Sequence, residues 1–228
     1  MDESVRTSRR AILSVSGATL ASLAGCFGVT ESETEGSSDG ESGGTESDGG
    51  TEQADLLSAP VAGDPDADVT VAVYEDFACP HCATFNEDVY PQLRSEYVES
   101  EQIRYEHHDF PIPVNQTVSW QAPNAARAVQ STVGDDAFFE YTDRLFANQG
   151  SLEPNAYAAL AEEVGAEPST VKTAATDREY DATVKADRER GLDAGVTGTP
   201  TAFVNGEEVQ TTAEALTEAI DAAVSDST

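Results

Sequence analysis

The apolar run Val69-Thr70-Val71-Ala72-Val73-Tyr74 leads directly into Glu75-Asp76-Phe77-Ala78-Cys79-Pro80-His81-Cys82. This junction constrains the fold more than any other stretch. The run is rich in β-branched residues and too short for a helix, so it predicts a buried strand. Phe85, Val89 and Leu93 then recur at helical spacing, which puts both cysteines at the start of a helix. Two thiols three positions apart at a helix start can close a disulfide across one turn. Cys79 would sit where unpaired backbone N–H groups and the positive end of the helix favour a thiolate. Pro80 suits a first helical turn because its missing N–H is not needed there. His81, between the sulfurs, is expected to stabilise the anion at Cys79 further. A stabilised thiolate leaves easily, so the disulfide form would be oxidising.

Cys79-Pro80-His81-Cys82 after a strand resembles the redox motif of the DsbA-like thiol–disulfide oxidoreductases of the thioredoxin superfamily. Half of a zinc site and an incidental pair are the alternatives. Zinc requires four ligands, and the chain has three cysteines and three histidines, so no metal is expected. A second motif strengthens the resemblance: Gly198-Thr199-Pro200-Thr201-Ala202-Phe203-Val204. In that superfamily a cis-proline faces the cysteine pair and opens a strand, and Pro200 matches the place. The resemblance implies an α/β thioredoxin fold, a mixed sheet flanked by helices, with an inserted helical subdomain at about 115–194. It implies Cys79 as the exposed nucleophile, Cys82 as its buried partner, and Thr199 and Pro200 as the substrate-guiding pair. The redox-active disulfide itself would serve, with no added cofactor. A membrane redox partner is implied as well.

Two positions depart from the family pattern. The place six residues before the first cysteine, often a buried acid, is Val73 here. Glu75 shares its strand face and Asp76 is adjacent, so either can substitute in handling the proton of Cys82; two acids solvated at a strand end is the other reading. The residue before the cis-proline is a threonine, which occurs in isomerases and reductases of the superfamily as well as in DsbA-like proteins.

The remaining chain is read around this frame. Residues 1–26 form an address: Ser8-Arg9-Arg10 resembles a twin-arginine export signal, and Leu23-Ala24-Gly25-Cys26 resembles a lipobox with Cys26 as the lipidated residue. The apolar stretch between them, about fourteen residues, is too short for a stable membrane span. Residues 27–54 carry eight acids and no base and lack the apolar content to order, so they predict a disordered tether. The folded domain is expected over 55–228, with a short edge strand from Leu56, Leu57 and Val61 before Gly63-Asp64-Pro65. Pro91 is expected to kink or restart the cysteine helix. Ile103 to His108 reads as a second strand. His107 and His108 would then face opposite ways and could not share a metal, and one of the two is expected to be a satisfied surface or core histidine. Within the helical block, Phe138, Tyr141 and Leu145 mark one face, and Ala156, Leu160 and Val164 another before Gly165. Asn205-Gly206 predicts a hairpin turn. Residues 212–224 predict a closing helix with Ala215, Leu216, Ile220 and Val224 inward.

Charge narrows the partners. With 43 acids against 12 bases the net charge is −31, which repels phosphate backbones and excludes nucleic acid. The only lysines are Lys172 and Lys185. Such self-repulsion is destabilising in ordinary salt and points to a salt-adapted, haloarchaeal source. The expected function is a disulfide-forming oxidoreductase on the outer face of the cell membrane. It would be monomeric and lipid-anchored, and would act on the thiols of exported proteins. A reductase or isomerase, and a metal-delivery module on the same fold, are the alternatives.

Overall fold

The computed structural model describes residues 56–227. The readings of residues 1–26, 27–54 and Cys26 lie outside that range. Five strands form one mixed sheet in the order β1-β3-β2-β4-β5. They are β1 (Val61–Gly63), β2 (Thr70–Glu75), β3 (Arg104–Asp109), β4 (Thr201–Val204) and β5 (Glu207–Val209). β2 is central, parallel to β3 and antiparallel to β4. This is a thioredoxin-like fold.

Strand alternation sorts the side chains before any packing is considered. Val71 pairs with Tyr105, Val73 with His107 and Glu75 with Asp109, so these six share one face. Ala72, Tyr74, Glu106 and His108 take the other. On the first face Val71, Val73 and Tyr105 join the main core with Leu93, Leu216 and Ile220. On the second, Tyr74, Phe110, Val196 and Phe203 form a smaller aromatic cluster.

The cysteine helix begins as α1 (Pro80–Thr84), passes through a π-helical turn (Phe85–Val89), resumes as α2 (Tyr90–Leu93) and ends in a second π turn (Arg94–Val98). The restart at Pro91 is thus met by widened turns on both sides rather than by a break. Each π turn shifts the inward face by one residue, which keeps Phe85, Tyr90, Leu93 and Tyr97 all buried.

Five helices fill the interval between β3 and β4: α3 (Val118–Val133), α4 (Asp135–Ala147), α5 (Pro154–Glu163), α6 (Pro168–Asp177) and α7 (Asp181–Asp193). They are the helical insertion that the sequence predicts. Gly165, just past α5, has φ +79° and ends it as expected. α7 crosses the aromatic face of the sheet at Gly191, where a Cβ would lie 2.7 Å from Phe110 and 2.9 Å from Tyr74. Only glycine allows that approach. Asn205 (φ 49°) and Gly206 (φ 84°) make the tight turn between β4 and β5.

Two expectations need correction. Leu56 and Leu57 are not part of the edge strand: the Leu57 N–H donates to Thr183 Oγ1, and the Ser58 carbonyl accepts from Arg127 and Gln130. Side chains of the helical insertion claim this backbone, so β1 is left with Val61–Gly63. In α8 (Ala213–Asp226), Leu216 and Ile220 are buried and Val224 packs against the core as expected, but Ala215 is only half-buried and lies outside the core cluster.

Candidate active site

β2 ends at Glu75 at one end of the sheet, and α1 starts after four intervening residues. Cys79 is the N-cap of α1, with extended backbone and Pro80 in the first turn. Its carbonyl accepts the N–H groups of Cys82 and Ala83 at 3.1 and 3.2 Å. Gln149, in a 3-10 turn (Gln149–Ser151) after α4, donates its amide to the carbonyls of Phe77 (2.9 Å) and Cys79 (2.8 Å). The insertion therefore clamps the backbone on both sides of Ala78. Nothing in the sequence marks Gln149 for this task.

Thr199-Pro200, joined by a cis peptide bond, opens β4 opposite the cysteines. The Cys79 thiol donates to the Thr199 carbonyl at 3.3 Å. The Thr199 hydroxyl is buried beside the sulfur and makes no other hydrogen bond among the described residues, which leaves it free to donate to a Cys79 thiolate. A groove of about 370 Å³ runs beside the pair, lined by His81, Phe85, Val89, Thr199 and Pro200 among others. The structure thus brings together Cys79, Cys82, Thr199 and Pro200 as expected from the sequence.

The two sulfurs are electrostatically opposite. The Cys79 thiol is lowered to about 5. A hydrogen bond from the Cys82 thiol is the largest cause and burial opposes it; the Thr199 hydroxyl and the backbone N–H groups of Cys82 and His81 add to the lowering. Cys82 is raised well above the thiol range, first by burial, then by its hydrogen bond to Cys79 and by the charge of Glu75. One sulfur is a ready thiolate and the other holds its proton.

Two expectations about this centre are refined. Cys79 is only 3 % exposed, so it is not an open nucleophile, and its thiol is held on the Thr199 carbonyl. His81 does lower the Cys79 thiol, through its backbone N–H, while its side chain is exposed and lines the groove.

Glu75 and Asp76 are both 2 % exposed, which rules out solvated acids at a strand end. Their jobs differ. Asp76 accepts the N–H groups of Ala78 and Ile112, each at 2.7 Å, and so fixes the approach to Cys79 and the loop after β3. Glu75 Oε1 accepts the Asn86 amide at 2.6 Å, and Asn86 also donates to the Cys82 carbonyl at 3.0 Å. Burial holds Glu75 above the usual carboxylate range, against hydrogen bonds from His107 and Asn86. A buried carboxyl beside a buried thiol is suited to passing a proton between them.

Both strand histidines are buried, one on each face. His107 stacks on Phe77, and His108 stacks on Tyr74 and lies near Asp187 and Glu106. Among the described residues no three His, Cys, Asp or Glu side chains converge to hold a metal ion.

The chain is similar to several known proteins. The chain is 24% identical over 171 residues to the disulfide bond formation protein D of Bacillus subtilis, covering 71% of this chain and 74% of that one. It is 32% identical over 146 residues to the Na(+)/H(+) antiporter NhaA 3 of Salinispora tropica, a match covering 64% of this chain. There the chain spans only 21% of the antiporter's length. Oxidised BdbD from Bacillus subtilis superposes with a TM-score of 0.68 at 23% identity, covering 73% of this chain and 93% of that structure. Wolbachia pipientis alpha-DsbA1 superposes with 0.62 at 17% identity, covering 77% and 96%. The fold is thus that of the DsbA-like structures. The family model described as thioredoxin matches residues 57–222, a span that takes in both the cysteine pair and the Thr199-Pro200 loop: the chain belongs to the thioredoxin family.

Proposed function

We propose that the protein is a thiol–disulfide exchange enzyme that forms disulfide bonds in exported proteins through Cys79 and Cys82. The observation that carries this is the opposed acidity of the two sulfurs. Stabilising the Cys79 thiolate stabilises the reduced enzyme, which makes its disulfide a strong oxidant. In the oxidising direction a substrate thiolate attacks Cys79 of the Cys79–Cys82 disulfide. A substrate–Cys79 bond forms, and Cys82 leaves as a thiolate that takes up a proton from solvent by way of the Glu75 carboxylate. A second substrate thiolate then attacks the substrate sulfur bonded to Cys79, and Cys79 leaves as its stabilised thiolate. The substrate gains one disulfide and loses two electrons; the enzyme gains both. Thr199 and Pro200 border the groove in which the substrate backbone lies. The names of the Bacillus relative, and of the Rickettsia bellii putative protein-disulfide oxidoreductase that is 26% identical over 175 residues, agree with this reading.

The enzyme acts on the extracytoplasmic face of the membrane, tethered by a lipid on Cys26 through the acidic linker. It works as a monomer and is reoxidised by a membrane redox partner. The twin-arginine and lipobox motifs support the location. The test is Cys82→Ser in the full chain: it should accumulate a mixed disulfide between Cys79 and exported proteins, visible on non-reducing gels and absent from Cys79→Ser. Equal patterns from both variants would remove Cys79 from the reaction. Thr199 supports a second reading, a reductase or isomerase, which the reduction potential distinguishes.

A further inference from the structure

Beyond the cysteines, the largest buried polar assembly runs from Glu75 across the sheet into the helical insertion. His107 Nδ1 lies 3.3 Å from Glu75 Oε2, and His107 Nε2 lies 3.4 Å from Asp109 Oδ1. Nε2 and Asp109 Oδ1 have no hydrogen-bond partner among the described residues, so they face one another as a close charge pair. The far oxygen of Asp109 accepts Arg127 Nε at 2.7 Å, and Arg127 also pairs with Asp187. Glu75, His107, Asp109 and Arg127 are each 2 % exposed or less. Phe77 and Phe138 flank the imidazole, so water does not compete for it. Arg127 and Asp187 belong to α3 and α7. The insertion thus supplies the countercharge at one end of a chain that reaches Cys82 at the other.

We propose that His107 is a positioning residue for the exchange reaction: it holds Glu75 beside Cys82 and, anchored through Asp109 to Arg127, keeps Glu75 able to accept the Cys82 proton. This rests on the exchange reading above. In the step concerned, Glu75 carboxylate takes the proton of Cys82, and the Cys82 thiolate attacks Cys79 in a mixed disulfide. The Cys79–Cys82 bond forms, and the substrate sulfur leaves with the bonding pair as a thiolate. His107 stays a cation throughout. Burial opposes its charge, but Asp109 and Glu75 on either side outweigh it and raise the imidazole to about 9. Without that positive charge, burial would hold Glu75 higher still and weaken it as an acceptor. The other ionisable groups bearing on Glu75 and His107 are Cys79 and Cys82, then Tyr90, Tyr105 and Asp143, with Arg127 and Asp187 behind Asp109. Asn86, which holds Glu75 Oε1, also borders an open groove of about 540 Å³ with Tyr90, Arg94 and Asp143.

The test uses the full chain with Cys26→Ser, reduced and mixed with one equivalent of 5,5′-dithiobis(2-nitrobenzoate). Attack by Cys79 releases the first thionitrobenzoate, and attack by Cys82 releases the second. Stopped-flow absorbance gives both rates from pH 5 to 9. His107→Phe should slow the second release by at least about tenfold at pH 7 and move its midpoint upward, with the first release unchanged. His107→Asn keeps an N–H donor without the charge. It should shift the midpoint too, with a smaller rate loss, and it carries the test alone where Phe disrupts the fold. On a Glu75→Gln background neither variant should slow the second release further. An unchanged midpoint, or losses that multiply with Glu75→Gln, would overturn the proposal while leaving the exchange reading intact. No second release from the parent chain would overturn both.

Discussion

Cys79 Sγ and the carbonyl oxygen of Thr199 lie 3.3 Å apart across 120 residues of chain. In between, the chain adds β3 between β1 and β2 and builds the whole helical insertion. The contact joins the two motifs and sets the character of the reactive sulfur. As a thiol, Cys79 donates to that carbonyl; as a thiolate, it draws on the Thr199 hydroxyl and on the backbone N–H groups of His81 and Cys82.

Alkylation of Cys79 should therefore titrate with a midpoint near 5. Thr199→Val removes a hydrogen bond to a charged group and should raise that midpoint by roughly 1 to 2 pH units. Iodoacetamide rates between pH 4 and 9, followed by mass spectrometry at Cys79, measure it. An unchanged midpoint would take the hydroxyl out of the account.

The same shift has a thermodynamic consequence with a definite sign. An acid whose folded pKa is depressed adds stability above its unfolded pKa and loses it as pH falls through the folded value. The reduced protein should therefore gain Tm relative to the oxidised protein as pH rises from about 5 toward 8. Taking the difference between the two redox forms cancels contributions common to both, such as that of His107. A difference that is flat across this window would contradict a stabilised thiolate.

Glu75→Gln should slow the attack of Cys82 on mixed disulfides on the order of 10²-fold at pH 7. Quench-flow kinetics of a Cys79–glutathione adduct provide the readout. Equal rates in the parent and the variant between pH 6 and 8 would assign the proton to some other group.

How much of this was legible in the sequence follows from what each signal encodes. Alternation along Val69–Tyr74 gives the faces of a strand, and it placed Glu75 and Val73 together. It does not give depth, so a strand-end acid could be read as solvated; in the fold Glu75 is 2 % exposed, held by Asn86 from the π turn and by His107 from β3. Two adjacent histidines on a strand must diverge, and they do. That both are buried depends on helices donated from distant sequence, Phe138 on one side and Asp187 on the other. Arg127 did leave a trace, as a lone cation among Ala122, Ala125, Ala126 and Ala128, where small residues on all sides imply close packing. The spacing of Cys79 and His81 suggested a role for the imidazole. The helix start points that side chain outward and turns its N–H inward.

Arg127 is the fully buried cation that ties α3 and α7 to β3. Arg127→Leu would leave Asp109 and Asp187 buried with their main countercharge gone and should cost about 3–5 kcal/mol of stability. Denaturant unfolding of the oxidised chain checks this. A loss below about 1 kcal/mol would mean that the network contributes little to the fold.

The central claim is that the Cys79–Cys82 pair donates disulfides, and its reduction potential tests that most directly. The full chain with Cys26→Ser is equilibrated against glutathione buffers in high salt, and the reduced fraction is read by thiol alkylation. A value toward about −120 mV, the strongly oxidising end of the range, is the predicted result. A value near about −270 mV, where thioredoxin lies, would contradict the account and make the protein a reductant of its substrates.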